Sequence, residues 1–153
     1  MAEERWVFVV KAQDKPGALT AAASVFSNRG VSLETILGSD IGITKAQEGR
    51  IVISFWANER KKEMLLRALQ RLSVVLQVQA YPYSSPELRA IGVARVAAKA
   101  DLSGFEVQID IISEQADSKS ILVTGNPPAV ETVIETLREQ NALLDVFTSV
   151  MAV

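Results

Sequence analysis

A chain of 153 residues makes one domain of ordinary size or two small ones, and 48 % hydrophobic against 22 % charged residues supports a packed core, not a disordered polymer. The formal net charge of −2 argues against a protein whose main partner is a nucleic-acid backbone. With no cysteine and no histidine, disulfides, thiolate nucleophiles, Cys-based metal sites, the commonest transition-metal ligand and the commonest general base are all missing, so any proton transfer would fall to carboxylates, lysine or tyrosine, and no cofactor or metal is implied.

The first five residues are acidic and lead directly into a strand, without the basic start and apolar core of a signal peptide. No apolar run approaches the ~20 residues of a membrane span, so a cytoplasmic chain with no membrane partner is expected. Residues 6–12 read as the first strand. Asp14-Lys15-Pro16-Gly17-Ala18-Leu19 follows, where Pro16 fixes one φ and Gly17 allows close approach of backbone or ligand. The helix beginning there offers unpaired amides and a partial positive charge, to which a small carboxylate can dock. The same turn can equally do no more than lead a strand into a helix, with Asp14 as its cap. That helix carries Leu19, Ala22 and Phe26 on one face and ends at Gly30.

Residues 31–37 read as a second strand. Gly38, Gly42 and Gly49 bracket a polar loop, and in the third strand, residues 50–56, Ile51, Ile53 and Phe55 share a face. Asn58 is placed to cap a second helix with an apolar stripe of Met64, Leu65, Ala68, Leu69 and Leu72. Its basic residues, Arg60, Lys61, Lys62, Arg67 and Arg71, fit a solvated face and could also meet an acidic partner subunit. Residues 74–81 close the unit. The order β-α-β-β-α-β predicts an α+β, ferredoxin-like unit over residues 1–81.

Two prolines and two serines in residues 82–86 mark a linker. Residues 87–153 repeat the order in truncated form: a strand at 88–96, an ambiguous and at most very short helical segment at 97–104, a period-2 run from Phe105 to Ile111, a strand at 120–124, a helix after Asn126-Pro127-Pro128, and a last strand from 143. Apolar residues at element period usually pack inward, so Leu19, Phe26 and Ile36 are expected in the core more than in a pocket, and Trp56 as a core or interface anchor.

The Pro16-Gly17 turn between strand and helix resembles the ACT domain, a regulatory module that binds amino acids. Over the whole chain the sequence resembles the small, regulatory subunits of acetolactate synthase, in which an N-terminal ACT domain precedes a C-terminal ACT-like one. Three segments carry the resemblance. Pro16-Gly17-Ala18-Leu19, Val25-Phe26 and Arg29-Gly30-Val31-Ser32-Leu33-Glu34-Thr35 are similar to the family's Gly-x-Leu, Leu-Phe and Arg-Gly-Tyr-Asn-Ile-Glu-Ser series; residues 69–78 are similar to its helix-to-strand step; and Val123-Thr124-Gly125-Asn126 through Leu144-Asp145-Val146 is similar to its ending. Asp14 and Ser32 stand where the family has Asn, and Asp145-Val146-Phe147-Thr148-Ser149 replaces its arginine-containing end. A carboxylate at Asp14 would repel the carboxylate of a bound amino acid unless it faces the ammonium group instead.

The resemblance implies a non-catalytic subunit that pairs as a homodimer through its ACT domains, binds a valine-like effector and modulates a catalytic, thiamine-diphosphate-dependent large subunit. Its site residues would be Asp14, Lys15, Pro16, Gly17, Ala18, Leu19, Ser32, Leu33 and Ile36, with the amides of Gly17, Ala18 and Leu19 holding one end of the ligand, Asp14 or Ser32 engaging its polar group and Ile36 lining an aliphatic pocket. Other modules share the order of elements. An RNA-recognition module needs strand aromatics and a basic surface, and an acylphosphatase-like hydrolase needs an arginine-rich turn after the first strand; neither is present. A free-standing ACT sensor or dimerising adaptor for another enzyme or regulator remains open.

Overall fold

The computed structural model describes residues 2–40 and 48–153; Gly42, assigned above to a loop, lies outside the described residues. The chain divides into two compact units, Met1–Ser85 with Ala152–Val153, and Pro86–Met151. Each is a four-stranded antiparallel sheet with helical cover, the α+β architecture expected from the order of elements.

In the first unit the elements are β1 (Glu4–Gln13), α1 (Ala18–Ser27), β2 (Leu33–Asp40), β3 (Glu48–Ala57), α2 (Glu59–Gln70) and β4 (Val75–Pro82), with strand order β2-β3-β1-β4. Period-2 patterning places Trp6, Phe8, Val10 and Ala12 of β1 beside Ile51, Ile53, Phe55 and Ala57 of β3. Against them pack Ala22, Val25 and Phe26 of α1 and Leu65, Ala68 and Leu69 of α2. Phe8 and Phe26 meet Phe55 edge-on, at centroid separations of 4.7 and 5.0 Å. Phe26 is therefore core, as expected.

Asn58 caps α2 as its sequence position suggests, its Oδ1 accepting the Lys61 N–H at 2.8 Å. At the end of α1, Gly30 takes φ +68°, its N–H donates to the Ser27 carbonyl (3.1 Å) and the Val31 N–H to the Phe26 carbonyl (3.0 Å), a Schellman stop. This stop consumes Val31, so β2 begins at Leu33 and runs on to Asp40, later than the expected 31–37.

Several expectations about apolar residues are corrected. Met64 is 46 % exposed, because the buried stripe of α2 turns through Leu65, Ala68 and Leu69 and leaves Met64 on the opposite edge. Of the two places expected for Trp56, core or interface, the core is ruled out: it points away from the core-facing residues Phe55 and Ala57, is 49 % exposed, and its Nε1 donates to Glu34 Oε2 at 3.1 Å. Glu34 also accepts from Arg5 Nε (2.8 Å) and Ser54 Oγ (3.2 Å), which ties the outer face of edge strand β2 to β1 and β3. Leu19 and Ile36 are the remaining exceptions, taken up with the site below.

The second unit contains β5 (Arg89–Ala97), β6 (Gln108–Glu114), β7 (Ser118–Gly125), α3 (Pro127–Glu139) and β8 (Leu143–Met151), ordered β6-β7-β5-β8. No helix forms between β5 and β6. Asp101 instead accepts the N–H and hydroxyl of Ser103 (3.0 and 2.6 Å) in a local turn, and Gly104 adopts φ +82°. The irregular segment still covers the sheet where a helix would, since Ala100, Leu102, Phe105 and Val107 lie against the core of Ala94, Val96, Ile121, Val123, Val133 and Leu137. β6 consequently starts at Gln108 rather than Phe105. α3 has Pro127 at its first turn, as expected, but Asn126 makes no side-chain capping bond.

Candidate functional site

The strand-to-helix turn is built as its residue types dictate. The Lys15 N–H donates to the Gln13 carbonyl (3.0 Å) and the Ala18 N–H to the Lys15 carbonyl (3.2 Å), while Gly17 sits in the left-handed region at φ +87°, where a side chain would be strained. Gly17 is itself the N-cap residue of α1, so no side chain caps the helix, and Asp14 does not serve as the cap. The first bond into the helix runs from the Ala21 N–H to the Gly17 carbonyl (2.9 Å). The amides of Leu19 and Thr20 precede it and have no acceptor within the helix. Of the three amides expected to face a ligand, that of Ala18 is already engaged in closing the turn.

A crevice of about 360 Å³ opens beside this turn. Asp14, Lys15, Ala18 and Leu19 form one wall; Gly38, Ser39 and Asp40 at the end of β2, with Gly49, Arg50 and Ile51 at the start of β3, form the other. The lining includes two acidic residues, Asp14 and Asp40, and two basic ones, Lys15 and Arg50, a set of charges that suits a zwitterion. Gly49 leaves little room there: a Cβ on it would stand 3.1 Å from the Ser39 carbonyl oxygen. Lys11 Nζ and Arg50 Nη1 approach Glu48 Oε2 at 3.0 and 4.0 Å.

Leu19 and Ile36, expected in the core, are 46 % and 37 % exposed. The buried face of α1 runs through Ala18, Ala22, Val25 and Phe26, which rotates Leu19 outward. Ile36 lies on the helix-side face of β2, opposite buried Ile53, but at the sheet edge beyond the cover of α1. Together with Thr20, Ala23, Ser24, Ser27, Val31 and Leu33 they line an apolar groove of about 360 Å³ between α1 and β2. Leu19 belongs to both concavities.

The nine residues singled out from the sequence thus separate. Asp14, Lys15, Ala18 and Leu19 meet at the crevice; Leu33 and Ile36 join Leu19 in the groove; Pro16 and Gly17 shape the turn; and Ser32 lines a different concavity of about 310 Å³ with Glu3, Asn58 and Lys61. Ser32 and Asp14 are therefore not alternatives at one place. The far wall was missed: Gly38, Asp40 and Arg50 lie more than 20 residues along the chain from the turn, and only strand pairing brings them back to it, with Asp40 opposite Gly49 and Ser39 opposite Arg50. The glycines flanking the loop were the available signal.

Among the described residues, no cluster of three or more metal-ligating side chains occurs, and no helix is long and apolar enough to cross a membrane. No protein-family model matches the chain. The resemblance read from the sequence is supported by curated relatives. A probable acetolactate synthase small subunit of Archaeoglobus fulgidus is 27 % identical over 137 residues, covering 85 % of this chain and 84 % of the relative. An acetolactate synthase small subunit of Mycolicibacterium smegmatis is 23 % identical over 135 residues, covering 84 % and 78 %. Among solved structures, the acetolactate synthase small subunit of Thermotoga maritima superposes with a TM-score of 0.72 at 21 % identity, over 99 % of this chain and 97 % of that one, a likeness of fold.

Proposed function

We propose that the chain is a regulatory subunit of acetolactate synthase in branched-chain amino-acid biosynthesis, which binds a branched-chain amino acid at its first unit while chemistry takes place on a separate catalytic large subunit in the cytoplasm. The observation that carries this reading is the crevice lined by Asp14, Lys15, Asp40 and Arg50 together with Ala18 and Leu19. Lys15, Arg50 and the free amide of Leu19 hold the ligand's carboxylate; Asp14 or Asp40 takes its ammonium group; Leu19 meets its aliphatic side chain. The apolar groove along α1 and β2 suits pairing of two such units across a two-fold axis, which makes the site part of an interface and lets occupancy alter pairing. The regulatory signal is then a coupling of ~1–3 kcal/mol between effector and large-subunit binding.

Titration calorimetry with valine, leucine and isoleucine tests the sensor; no heat from any of them at millimolar concentration removes it. Co-purification with a thiamine-diphosphate-dependent large subunit separates this reading from that of a free-standing sensor.

A further inference from the structure

Away from the crevice and the groove, the first unit carries a concentration of positive charge. The segment of residues 59–71 holds five basic and two acidic side chains, in a chain with 16 basic and 18 acidic ones overall. Two of the five are committed: Lys62 is buried, bonded to Glu59 and Glu63 at 2.8 and 3.1 Å and stacked 4.3 Å over the Trp6 ring, and Lys61 Nζ donates to the Arg29 carbonyl at 3.1 Å. The other three, Arg60, Arg67 and Arg71, are exposed, and none forms an ion pair or side-chain hydrogen bond among the described residues. With Met64 they fall at i, i+4, i+7 and i+11, a straight stripe three turns long along α2 and its C-cap residue Arg71, turned away from buried Leu65 and Leu69. Helix stability does not require such a stripe, because the cap, the ion pairs of Lys62 and the buried residues already hold α2.

We infer that the Arg60-Met64-Arg67-Arg71 stripe is a docking surface for an acidic protein surface; resting on the function proposed above, that surface belongs to the catalytic large subunit. The backbone positions of the three arginines are about 10 and 6 Å apart along the axis, and each guanidinium can match a carboxylate in fork geometry. Met64, 46 % exposed between them, supplies the adaptable apolar contact that desolvates such an interface at its centre. Arginine and methionine are among the residues enriched in protein interfaces. A nucleic acid fits less well, since the chain is net negative and no aromatic side chain lies in the stripe to stack on a base. A lipid surface would need a broader apolar face than one methionine.

The test uses the full chain with the large subunit from the same source, by analytical ultracentrifugation and by calorimetry. Wild type is expected to bind with an affinity that falls at least about tenfold between roughly 50 and 300 mM salt. The triple variants R60E/R67E/R71E and R60Q/R67Q/R71Q are expected to bind at least about tenfold more weakly and to lose most of that salt dependence, whereas R95E/K99E, at residues also exposed but in the second unit, stays within about twofold. Circular dichroism and unchanged valine binding establish that the triple variants are folded. Undiminished large-subunit binding by both triple variants overturns the docking surface and leaves the proposed function standing. Failure of wild type to bind any large subunit overturns the proposed function and this partner with it. Capture of a mixed-sequence DNA duplex or of phosphatidylserine vesicles through the stripe, in preference to the large subunit, also overturns the inference.

Discussion

Leu19 Cδ1 lies 3.6 Å from the point where a Cβ on Gly38 would stand, so the side chain that leaves the buried face of α1 comes to rest over bare backbone of β2. The pair defines the depth of the crevice: a hydrogen on one side and an exposed leucine on the other. A larger side chain at position 38 would occupy the space proposed for a ligand.

Replacing Gly38 by valine is accordingly expected to weaken binding of valine, leucine and isoleucine by at least about tenfold, equivalent to ~1.4 kcal/mol, because its methyl groups fill the opening. Gly38 has no left-handed φ and sits in an edge strand, so the thermal midpoint should barely move. Calorimetry of the variant with each amino acid, beside its melting curve, measures both quantities; unchanged affinity would relocate the ligand.

Gly17 presents the opposite case. A Cβ there would meet nothing within 4 Å, so the cost of Gly17→Ala is backbone strain alone at φ +87°, about 1–2 kcal/mol of stability. Urea unfolding should show that loss at an unaltered m-value. A neutral substitution would mean that the turn relaxes to a negative φ.

Arg50 and Lys15 are assigned to the ligand's carboxylate, and a ligand lacking it should not sense them. Arg50→Met is expected to reduce affinity for valine about tenfold while leaving the much weaker binding of valinamide within about twofold. Equal losses for both ligands would assign Arg50 to the architecture of the crevice.

Lys62 supplies a pH dependence with a defined sign. Burial by itself lowers its pKa, but the hydrogen bonds and charges of Glu59 and Glu63 together outweigh that and leave it above the ordinary lysine value of 10.5. The folded state thus holds the proton more tightly than the unfolded chain, and the contribution of Lys62 is complete below pH 10.5 and lost as pH rises through its folded pKa. Wild type should therefore lose stability above pH 10.5 more steeply than Lys62→Met, which keeps an unbranched side chain beside Trp6 but no charge. Parallel urea midpoints of the two proteins across pH 9 to about 11.5 would contradict the assignment.

Much of the fold was legible because it rests on local rules. The alternation of Phe8 and Val10 on β1 and of Ile51, Ile53 and Phe55 on β3, the cap at Asn58 and the glycine stop at Gly30 each follow from side-chain period or backbone freedom within a few residues. The segment between β5 and β6 was less legible, since Asp101-Leu102-Ser103-Gly104 forms a side-chain turn in place of a helix while its apolar residues still reach the core.

The order of elements, the alternating faces of the strands and the glycine turn before α1 follow from torsional preference and burial period, which are local properties of the residues. Which residues share the crevice follows from how the strands and helix pack together. Asp40 and Arg50 become neighbours of Asp14 and Lys15 only through the register of β2 on β3 and of β3 on β1, and Leu19 faces outward only because Ala18, Ala22, Val25 and Phe26 claim the buried side of α1. Register and helix rotation are set by competition among all the apolar side chains of the core, a quantity that no short window of sequence contains.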